Sequence, residues 1–585
     1  MLSVLGKLGW FFKAYWKRYT IAVLALGIVN LLEIIPPMIV GKTIDKIFTG
    51  DLTAQTLTAY LTAMFTVAIL LYGFTYIWQY NLFGGAFIIE KILRSRLMSH
   101  FLKMAPPFFE HNRTGDLMAR ATNDLRAVSQ TAGFGILTLV DSTMYMLTII
   151  VTMGFLVSWK LTLAAILPLP VLAFGIKVLG KKIHERYTVA QDAFGDLNDR
   201  VLESVAGVRV IRAYNQEKAD QSRFRAMTED VYEKNIAVEK IDAFFSPLTK
   251  IITGLSYTIG LAYGTYLVFQ QSITLGNLVS FNVYLGMLTW PMFAIGELIN
   301  VMQRGNASLD RVQNTLDVEE DVKDPPAPNM VARPDTIDFR GLSFQYPRSN
   351  HLNLQHIDLQ IRKGDTIGIV GKTGSGKTTL IKQLLREYPL GDGALEISGA
   401  RIETLEKDRV LSWIGYVPQD HVLFSRTVKE NILFGADTAT DEELAHAIRL
   451  AALEKDIEML PEGLDTLVGE KGVALSGGQK QRISIARALL NDPEILILDD
   501  ALSAVDAKTE AVIIANIRNE RHHKTTIIAT HRLSAVEHAR WIVVLDEGKI
   551  IEAGTHEALL ARHGWYYEQF LRQQLQPPEH EEVRA

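Results

Sequence analysis

The sequence predicts two joined folds: an all-α transmembrane domain of six helices with long cytoplasmic helical arms, followed by an α/β domain built around a phosphate-binding loop. Three observations predict them. Apolar residues make up 48% of the 585 residues. The long apolar stretches all lie before about residue 301. The last third has β-branched runs, amphipathic stretches and a glycine-rich loop between them, which is typical of an α/β nucleotide-binding domain.

Composition excludes several classes of function. The chain has no cysteine, so it has no disulfide, no thiolate metal site, no iron–sulfur cluster and no cysteine nucleophile. The formal net charge is -5, which gives no reason to expect a nucleic acid as a partner. The expected surroundings of the N-terminal half are instead a lipid bilayer.

Six apolar segments are long enough to cross the hydrocarbon core, which takes about twenty mostly apolar residues in a helix. Buried helices of a large soluble protein are the alternative, but soluble cores rarely need six helices this long and apolar. The six predicted spans are 19–40, 57–83, 134–158, 161–180, 246–270 and 277–302.

The distribution of Lys and Arg predicts the orientation. The stretches between spans two and three and between spans four and five are rich in both residues, whereas neither occurs from residue 251 to residue 303. Positively charged loops stay in the cytoplasm. We therefore expect both termini, the two long loops and the C-terminal domain to be cytoplasmic. The long loops are expected to continue the spans as helical arms.

Three carboxylates fall within the predicted spans: Glu33, Asp141 and Glu297. Ionisable residues in a membrane are costly and often functional. They could line a polar cavity that receives a cationic substrate. Alternatively, they could pair with a polar group on a neighbouring helix or lie at the membrane interface.

The expected domain boundaries follow from composition. Residues 1–315 form the transmembrane domain, and the charged, proline-containing stretch 316–335 is the linker. Residues 336–575 form the nucleotide-binding domain. The last ten residues, 576–585, are expected to be a disordered tail because they are polar and charged.

A phosphate-binding loop follows the predicted strand Thr366–Val370. Its glycines let backbone N–H groups close around phosphates, and the N-terminus of the next helix adds partial positive charge. In this pattern the lysine reaches the terminal phosphates and the following threonine offers an oxygen to Mg²⁺. The predicted nucleotide contacts are Thr373, Gly374, Ser375, Gly376, Lys377, Thr378 and Thr379.

A second apolar run, Ile495–Leu498, ends in Asp499 and Asp500. A carboxylate at the carboxyl end of a strand beside the phosphate loop is a suitable Mg²⁺ ligand. Asp499 is therefore the predicted metal ligand together with Thr378. The cofactors expected are ATP and Mg²⁺.

The segment Leu475-Ser476-Gly477-Gly478-Gln479 resembles the signature of the ABC transporter ATPase family, and the other motifs follow in the family's order. The resemblance covers the chain except its last ten or so residues. It implies that Tyr346 stacks on adenine, that Gln419 bridges Mg²⁺ and the membrane domain, and that His531 contacts the γ-phosphate. It also implies a D-loop at Ser503–Asp506 and coupling segments at Thr114–Leu117 and Val208–Glu217.

The resemblance further implies a dimer. In the family, each nucleotide lies between one domain's phosphate loop and the other domain's signature. Ser476, Gly478 and Gln479 would then serve the nucleotide bound by a partner. Closure of the dimer on ATP would switch the arms from inward-open to outward-open.

One residue departs from the family's pattern. The residue after the Mg²⁺ aspartate is usually a glutamate that polarises the attacking water, and here it is Asp500. A side chain one methylene shorter places its carboxylate about 1.5 Å further back, and such a misplacement can cost about 100-fold in rate. Either a homodimer hydrolyses ATP slowly, or the chain joins a glutamate-bearing partner whose site it completes.

The overall pattern resembles the smaller, BmrC-type subunit of heterodimeric bacterial multidrug exporters. This resemblance implies an exporter of amphipathic drugs or similar small molecules in the bacterial plasma membrane. A lipid flippase of the same fold is the first alternative. A regulatory ATPase that transports nothing is the second, and no added receiver or kinase-like domain supports it.

Overall fold

The computed structural model describes residues 3–436, 438–469 and 474–575, apart from the side chains of residues 173, 176, 177 and 246. The chain divides into two compact units. The first consists of Met1–Phe101 and Gly115–Val318, and the second of Leu102–Thr114 and Glu319–Ala585, each as far as it is described. The predicted tail, 576–585, lies outside the described residues.

The first unit is helical, and its longest helices follow long apolar runs. Its helices are Ser3–Lys7, Gly9–Ala14, Trp16–Leu32, Ile35–Thr49, Ala54–Lys103, Thr114–Ala119, Leu125–Gln130, Ile136–Val140, Met146–Met153, Trp159–Ile166, Leu169–Ala206, Val208–Ala213, Glu217–Asp242, Phe245–Phe269, Leu275–Met287 and Thr289–Leu316. The helix Ala54–Lys103 ends within the second unit.

Five helical ranges of the described chain are long and apolar enough to span a membrane. They are Trp16–Thr49, Ala54–Lys103, Thr114–Ile166, Glu217–Phe269 and Leu275–Leu316. The predicted fourth span, 161–180, is not confirmed. The helix Trp159–Ile166 ends there and a new helix starts at Leu169. Pro168 lies between them, where its ring cannot continue the preceding helix.

Long helices extend well beyond a membrane's thickness. The helix Ala54–Lys103 has 50 residues, and at about 1.5 Å per residue it is about 75 Å long. The helix Leu169–Ala206 has 38 residues and packs along Glu217–Asp242. The predicted coupling segment between them forms the short helix Val208–Ala213. Helical arms of this kind agree with the charged loops of the sequence.

The helical range Thr114–Ile166 contains four π-helical turns, at Arg120–Asp124, Thr131–Gly135, Asp141–Tyr145 and Gly154–Ser158. A π turn shifts the following side chains around the helix axis and is frequently found at functional sites. The third of these turns carries the predicted intramembrane carboxylate Asp141.

The second unit contains two sheets. The strands are β1 (Thr336–Phe344), β2 (Leu354–Arg362), β3 (Thr366–Gly371), β4 (Asp392–Ile397), β5 (Ala400–Arg401), β6 (Ile414–Val417), β7 (Ile495–Asp499), β8 (Thr525–Thr530), β9 (Trp541–Asp546) and β10 (Lys549–Gly554). The smaller sheet has the order β2-β1-β4-β5 and is antiparallel. The larger has the order β10-β9-β3-β8-β7-β6 and is parallel except for β10.

Short helices surround these sheets. They are Pro106–His111, Lys377–Leu384, Lys407–Ser412, Val428–Leu433, Asp441–Leu450, Glu454–Met459, Gly477–Leu489, Ala507–Glu520, His556–Ala561 and Trp565–Leu575, with 3-10 turns at Ile402–Thr404, Gly463–Asp465 and Leu533–Ala535. Strands β3, β7 and β8 are almost entirely buried, which explains their continuous apolar sequences.

The register of the parallel sheet places the predicted site residues together. Val370 pairs with Thr530 and Asp499 pairs with Ala529, so β3, β7 and β8 end at the same edge. The phosphate loop, Asp500 and His531 each begin where one of these strands ends. Ligand sites of open parallel sheets lie at this carboxyl edge.

The predicted orientation can be tested on this chain because it has no native cysteine. Ser272 lies in the exposed connection before the helix Leu275–Met287, and Lys218 lies in the first turn of Glu217–Asp242. We expect Ser272→Cys to react with a membrane-impermeant maleimide in intact cells. Lys218→Cys should react only after permeabilisation. Labelling of Lys218→Cys alone in intact cells would reverse the orientation.

Candidate nucleotide site

A cavity of about 260 Å³ opens at the carboxyl edge of the parallel sheet. It brings together the sequence-predicted nucleotide residues except those of the signature. The lining residues are Tyr346, Asn353, Thr373, Gly374, Ser375, Gly376, Lys377, Thr378, Thr379, Gln419, Asp499, Asp500 and His531. Asn353 was not predicted. Its side-chain oxygen accepts a hydrogen bond from the Tyr346 amide at 3.1 Å.

The phosphate loop joins β3 to the helix Lys377–Leu384. Gly374 and Gly376 have φ angles of +81° and +106°, which glycine adopts without steric cost. The Lys377 ammonium donates to the carbonyls of Gly371 and Lys372, both at 2.9 Å. Burial lowers the pKa of Lys377, partly offset by Asp500 and Asp499. An added phosphate anion would therefore stabilise the charged lysine.

Ser375 supports the fit of a polyphosphate to this loop. Its hydroxyl oxygen is buried and has no hydrogen-bond partner among the described residues. Buried polar groups normally have a partner. A phosphate oxygen in the loop would supply one, and the glycines leave the backbone accessible to it.

The donor set for Mg²⁺ is also present. The Thr378 hydroxyl donates to the Asp499 carboxylate at 3.1 Å, and the Tyr416 hydroxyl donates to the same carboxylate at 3.4 Å. Burial and the neighbouring Asp500 raise the pKa of Asp499. Mg²⁺ prefers hard oxygen ligands of this kind. Tyr416 has no sequence motif and is an additional residue of the site.

Asp500 lies directly after β7 with a φ of +48°, a left-handed conformation that aspartate tolerates better than most residues. Its carboxylate lies 2.8 Å from the Nδ1 atom of His531. Burial alone would raise the pKa of Asp500, but the hydrogen bond and charge of His531, together with Lys377, hold it below its usual range. The Asp500 carboxylate therefore accepts a hydrogen bond from the imidazole of His531, the residue that follows β8.

Tyr346 lies beside the phosphate loop. Its hydroxyl and that of Thr379 are 3.1 Å apart, and its ring packs edge-on against Tyr388 with centroids 5.0 Å apart. The Tyr388 hydroxyl donates to Glu110, in the segment Leu102–Thr114 of the same unit. No sequence pattern indicated Tyr388 or Glu110, which are 278 residues apart.

The signature residues lie away from this cavity. Ser476 precedes the helix Gly477–Leu489, and its hydroxyl accepts from the Gln479 amide at 3.3 Å. The Gln479 side chain accepts in return from the Ser476 amide at 2.9 Å. This reciprocal capping fixes the first turn of the helix.

Gln481 connects the signature helix to the D-loop. Its side chain is buried, donates to the Ser503 hydroxyl at 2.9 Å and accepts from the Ala504 amide at 2.9 Å. Gly478 lies so close that an added Cβ would meet the Ala504 carbonyl at 2.9 Å. The sequence indicated the signature and the D-loop but not Gln481. Only its position two residues after the signature could have suggested a role for Gln481.

The intramembrane carboxylates each have a polar partner in the first unit. The Tyr145 hydroxyl donates to Glu33 at 2.5 Å, and the Trp290 indole N–H donates to Asp141 at 2.9 Å. Glu297 forms an ion pair with Arg304 at 3.5 Å. Glu297 and Arg304 lie on the same helix, Thr289–Leu316, whereas Glu33 and Asp141 are bonded to polar groups on other helical elements, as the pairing alternative expects. Glu33 and Asp141 receive hydrogen bonds from neutral donors only, according to the contacts of the described residues.

Two family models match the chain. The ABC transporter transmembrane region matches residues 19–292, and the ABC transporter model matches residues 354–503. A solved structure described as a bacterial Atm1-family ABC exporter with ATP bound superposes with a TM-score of 0.80 at 26% identity. The superposition covers 96% of this chain and 99% of the exporter chain.

Curated relatives match along nearly the whole chain. The probable multidrug resistance ABC transporter ATP-binding/permease protein YheI of Bacillus subtilis is 64% identical, with 98% of each chain covered. The multidrug resistance-like ATP-binding protein MdlA of Escherichia coli is 40% identical over 98% of this chain and 97% of its own. An ATP-dependent lipid A-core flippase of Syntrophus aciditrophicus is 33% identical over 94% of this chain and 91% of its own.

Lysine substitutions in the phosphate loop test the nucleotide site. Lys377→Ala should weaken ATP binding at least about tenfold, since it removes a charge-assisted contact from a half-buried loop. Lys372→Ala is the matched control, because Lys372 is exposed and its nearest acidic partner, Asp546, is 3.8 Å away. Equilibrium binding of a fluorescent ATP analogue measures both. Equal affinities in the two variants would contradict the assignment.

Proposed function

Since this chain belongs to the ABC transporter family and carries the membrane domain and the ATPase on one polypeptide, we propose that it exports amphipathic drugs as one subunit of an unequal heterodimer. Its function as a membrane-embedded ABC exporter that couples ATP hydrolysis to transport follows from the family. The drug class is supported by the printed names of its multidrug resistance relatives.

Asp500 carries the proposal of an unequal dimer. In the family a glutamate holds the attacking water, and the shorter aspartate side chain reaches less far. Its carboxylate is instead hydrogen-bonded to His531 at 2.8 Å. Both groups are then occupied with each other rather than with water and γ-phosphate. This chain's own site would bind ATP and hydrolyse it poorly.

The signature of this chain supports the other half of the proposal. Ser476, Gly478 and Gln479 lie on a helix fixed by its capping hydrogen bonds and by Gln481. They do not line the cavity that holds the phosphate loop. An intact signature facing outward is available to a partner. We infer that it completes the partner's site, which bears the glutamate.

The residues of the cavity that the sequence predicted have these proposed roles. Tyr346 stacks on the adenine, and residues Thr373 to Thr379 bind the phosphates. Thr378, Asp499 and Gln419 would hold Mg²⁺, and the metal would neutralise phosphate charge. Asp500 and His531 form the weak catalytic pair.

Glu33 and Asp141 support cationic amphiphiles as substrates. Both carboxylates receive hydrogen bonds from neutral donors, so a charge on either would remain uncompensated within the membrane unit. An organic cation would compensate it. A lipid flippase is the second candidate function, favoured by the flippase relative at 33% identity. The proposed location is the bacterial plasma membrane, with the ATPase and both termini in the cytoplasm.

ATPase measurements test the unequal dimer. The chain purified alone should hydrolyse ATP poorly, and co-expression with a glutamate-bearing partner should restore turnover. In that mixed dimer Asp500→Glu should raise turnover by up to about twofold, because a carboxylate moved outward by one methylene activates a second site. Asp492→Glu is the matched control, since Asp492 is exposed and outside the cavity.

Substitution of the signature completes the test. Ser476→Arg should nearly abolish turnover in the mixed dimer because it damages the partner's competent site. Robust ATP hydrolysis by the unmodified chain alone would contradict the heterodimer. Normal turnover of the Ser476→Arg dimer would show that the two sites have the opposite roles.

Transport in proteoliposomes separates the two candidate substrates. With both subunits present, a fluorescent cationic dye should be moved faster than a labelled phospholipid. The variant with both Glu33→Gln and Asp141→Asn should lose most dye transport while retaining ATP binding. Asp51→Asn, at an exposed loop position, is the control. Lipid movement without dye movement would favour the flippase.

A further inference from the structure

A second cleft lies at the amino edge of the parallel sheet, opposite the nucleotide site. Its cavity volume is about 220 Å³. Thr366, the first residue of β3, and Thr526, the second residue of β8, line it together with Gly364. Its other polar side chains are all basic: Arg518, Arg521, His522, His538 and Arg540. None of these residues belongs to the ATPase motifs.

Arg521 is the buried member of this set. Its side chain is 3% exposed. The Nη2 atom donates to the carbonyls of Pro493 at 2.8 Å and Thr525 at 3.4 Å. The Nε and Nη1 atoms have no hydrogen-bond partner among the described residues. Burial lowers the pKa of Arg521 to about 10, against the opposing effect of Asp492 and Glu494.

Nearby carboxylates compensate only part of the positive charge of the cleft. Asp492 lies 3.6 Å from Arg521 Nη1, outside hydrogen-bond distance, and also pairs with Lys524. Glu494 pairs with Lys363 at 3.2 Å. Asp365 pairs with Arg540 at 2.6 Å.

Arg518 adds a positive charge for which the described residues provide no ion-pair partner. Arg518 is exposed on the helix Ala507–Glu520, and no carboxylate of the described chain pairs with it. His538 faces Arg518, whose charge adds to burial in lowering the pKa of the imidazole. An anion between these groups would relieve both the repulsion and the unsatisfied donors of Arg521.

We propose that this cleft is a second, non-catalytic anion site that binds a phosphate group. Arginine guanidinium groups present planar pairs of donors that match phosphate oxygens. Arg521 at the base and Arg518 and Arg540 at the rim provide such donors from several directions. Thr366 and Thr526 line the same cleft. A buried, under-satisfied arginine is costly unless a ligand compensates it.

The proposed anion site and the nucleotide site lie at opposite ends of β3. Strand β3 begins at Thr366 in the cleft and ends at Gly371 in the phosphate loop. One six-residue strand therefore joins the two anion sites. The ligand would be a soluble phosphate, either the inorganic ion or a small phosphate monoester.

Binding of radiolabelled inorganic phosphate to the full-length chain in phosphatidylcholine nanodiscs tests the site. The chain carries Lys377→Ala, so that the phosphate loop contributes little. Saturable binding is expected, and Arg518→Gln should weaken it about tenfold through loss of one charge-assisted contact. Lys549→Gln, an exposed lysine outside the cleft, should leave it unchanged. Arg540→Gln provides a second rim variant.

The outcomes are distinct. Saturable binding that falls in Arg518→Gln and Arg540→Gln supports the site, and competition by AMP at lower concentration than by phosphate identifies a monoester as the ligand. Equal competition identifies the free ion. No saturable binding, or binding that both rim variants retain, overturns the proposal. ATP binding by Arg518→Gln in the otherwise unaltered chain shows that the variant is folded.

Discussion

The hydrogen bond between Asp500 and His531 is the interaction on which the account of this ATPase depends. It joins the ends of two adjacent parallel strands at 2.8 Å. It also uses the two groups that would otherwise address the attacking water and the γ-phosphate. A glutamate would extend one methylene further, past this contact. This geometry is the physical basis of the proposal that the site binds ATP and hydrolyses it slowly.

The nucleotide cavity and the signature with its D-loop lie on two different surfaces of the ATPase domain. The carboxyl edge of the sheet gathers the phosphate loop, Asp499 and Tyr346 into one cavity. The signature and D-loop form another surface, held together by Gln481. Tyr388 lies between the nucleotide cavity and the segment Leu102–Thr114. Its ring contacts Tyr346, and its hydroxyl donates to Glu110 of that segment. Tyr388 therefore connects the Tyr346 ring of the nucleotide cavity to that segment.

Sequence reasoning identified the parts of the site that depend on local pattern. The phosphate loop needs glycines at fixed spacing after a strand, and Asp499 needs only a strand that ends there. Both were predicted, and the structure places them in one cavity. Tyr416, Tyr388 and Glu110 were not predicted because their roles come from contacts between residues far apart in the chain.

The membrane unit shows a different limit. Hydropathy finds apolar segments but not interruptions of helix geometry. Pro168 divides the predicted fourth span, and four π turns modify the range Thr114–Ile166. Similarly, Asp141 was recognised as an intramembrane carboxylate, whereas its bond to Trp290 joins residues 149 apart. Arg521 gave no signal at all, because its unsatisfied donors follow from burial in the tertiary fold.

Vanadate trapping in the mixed dimer tests the central claim most directly. Vanadate replaces the released phosphate only where hydrolysis proceeds, and a photoreactive ATP analogue then labels the subunit that holds the trapped nucleotide. The account predicts label on the partner subunit, whose phosphate loop faces this chain's Ser476. Label on this chain, at the site of Lys377 and Asp500, would contradict it.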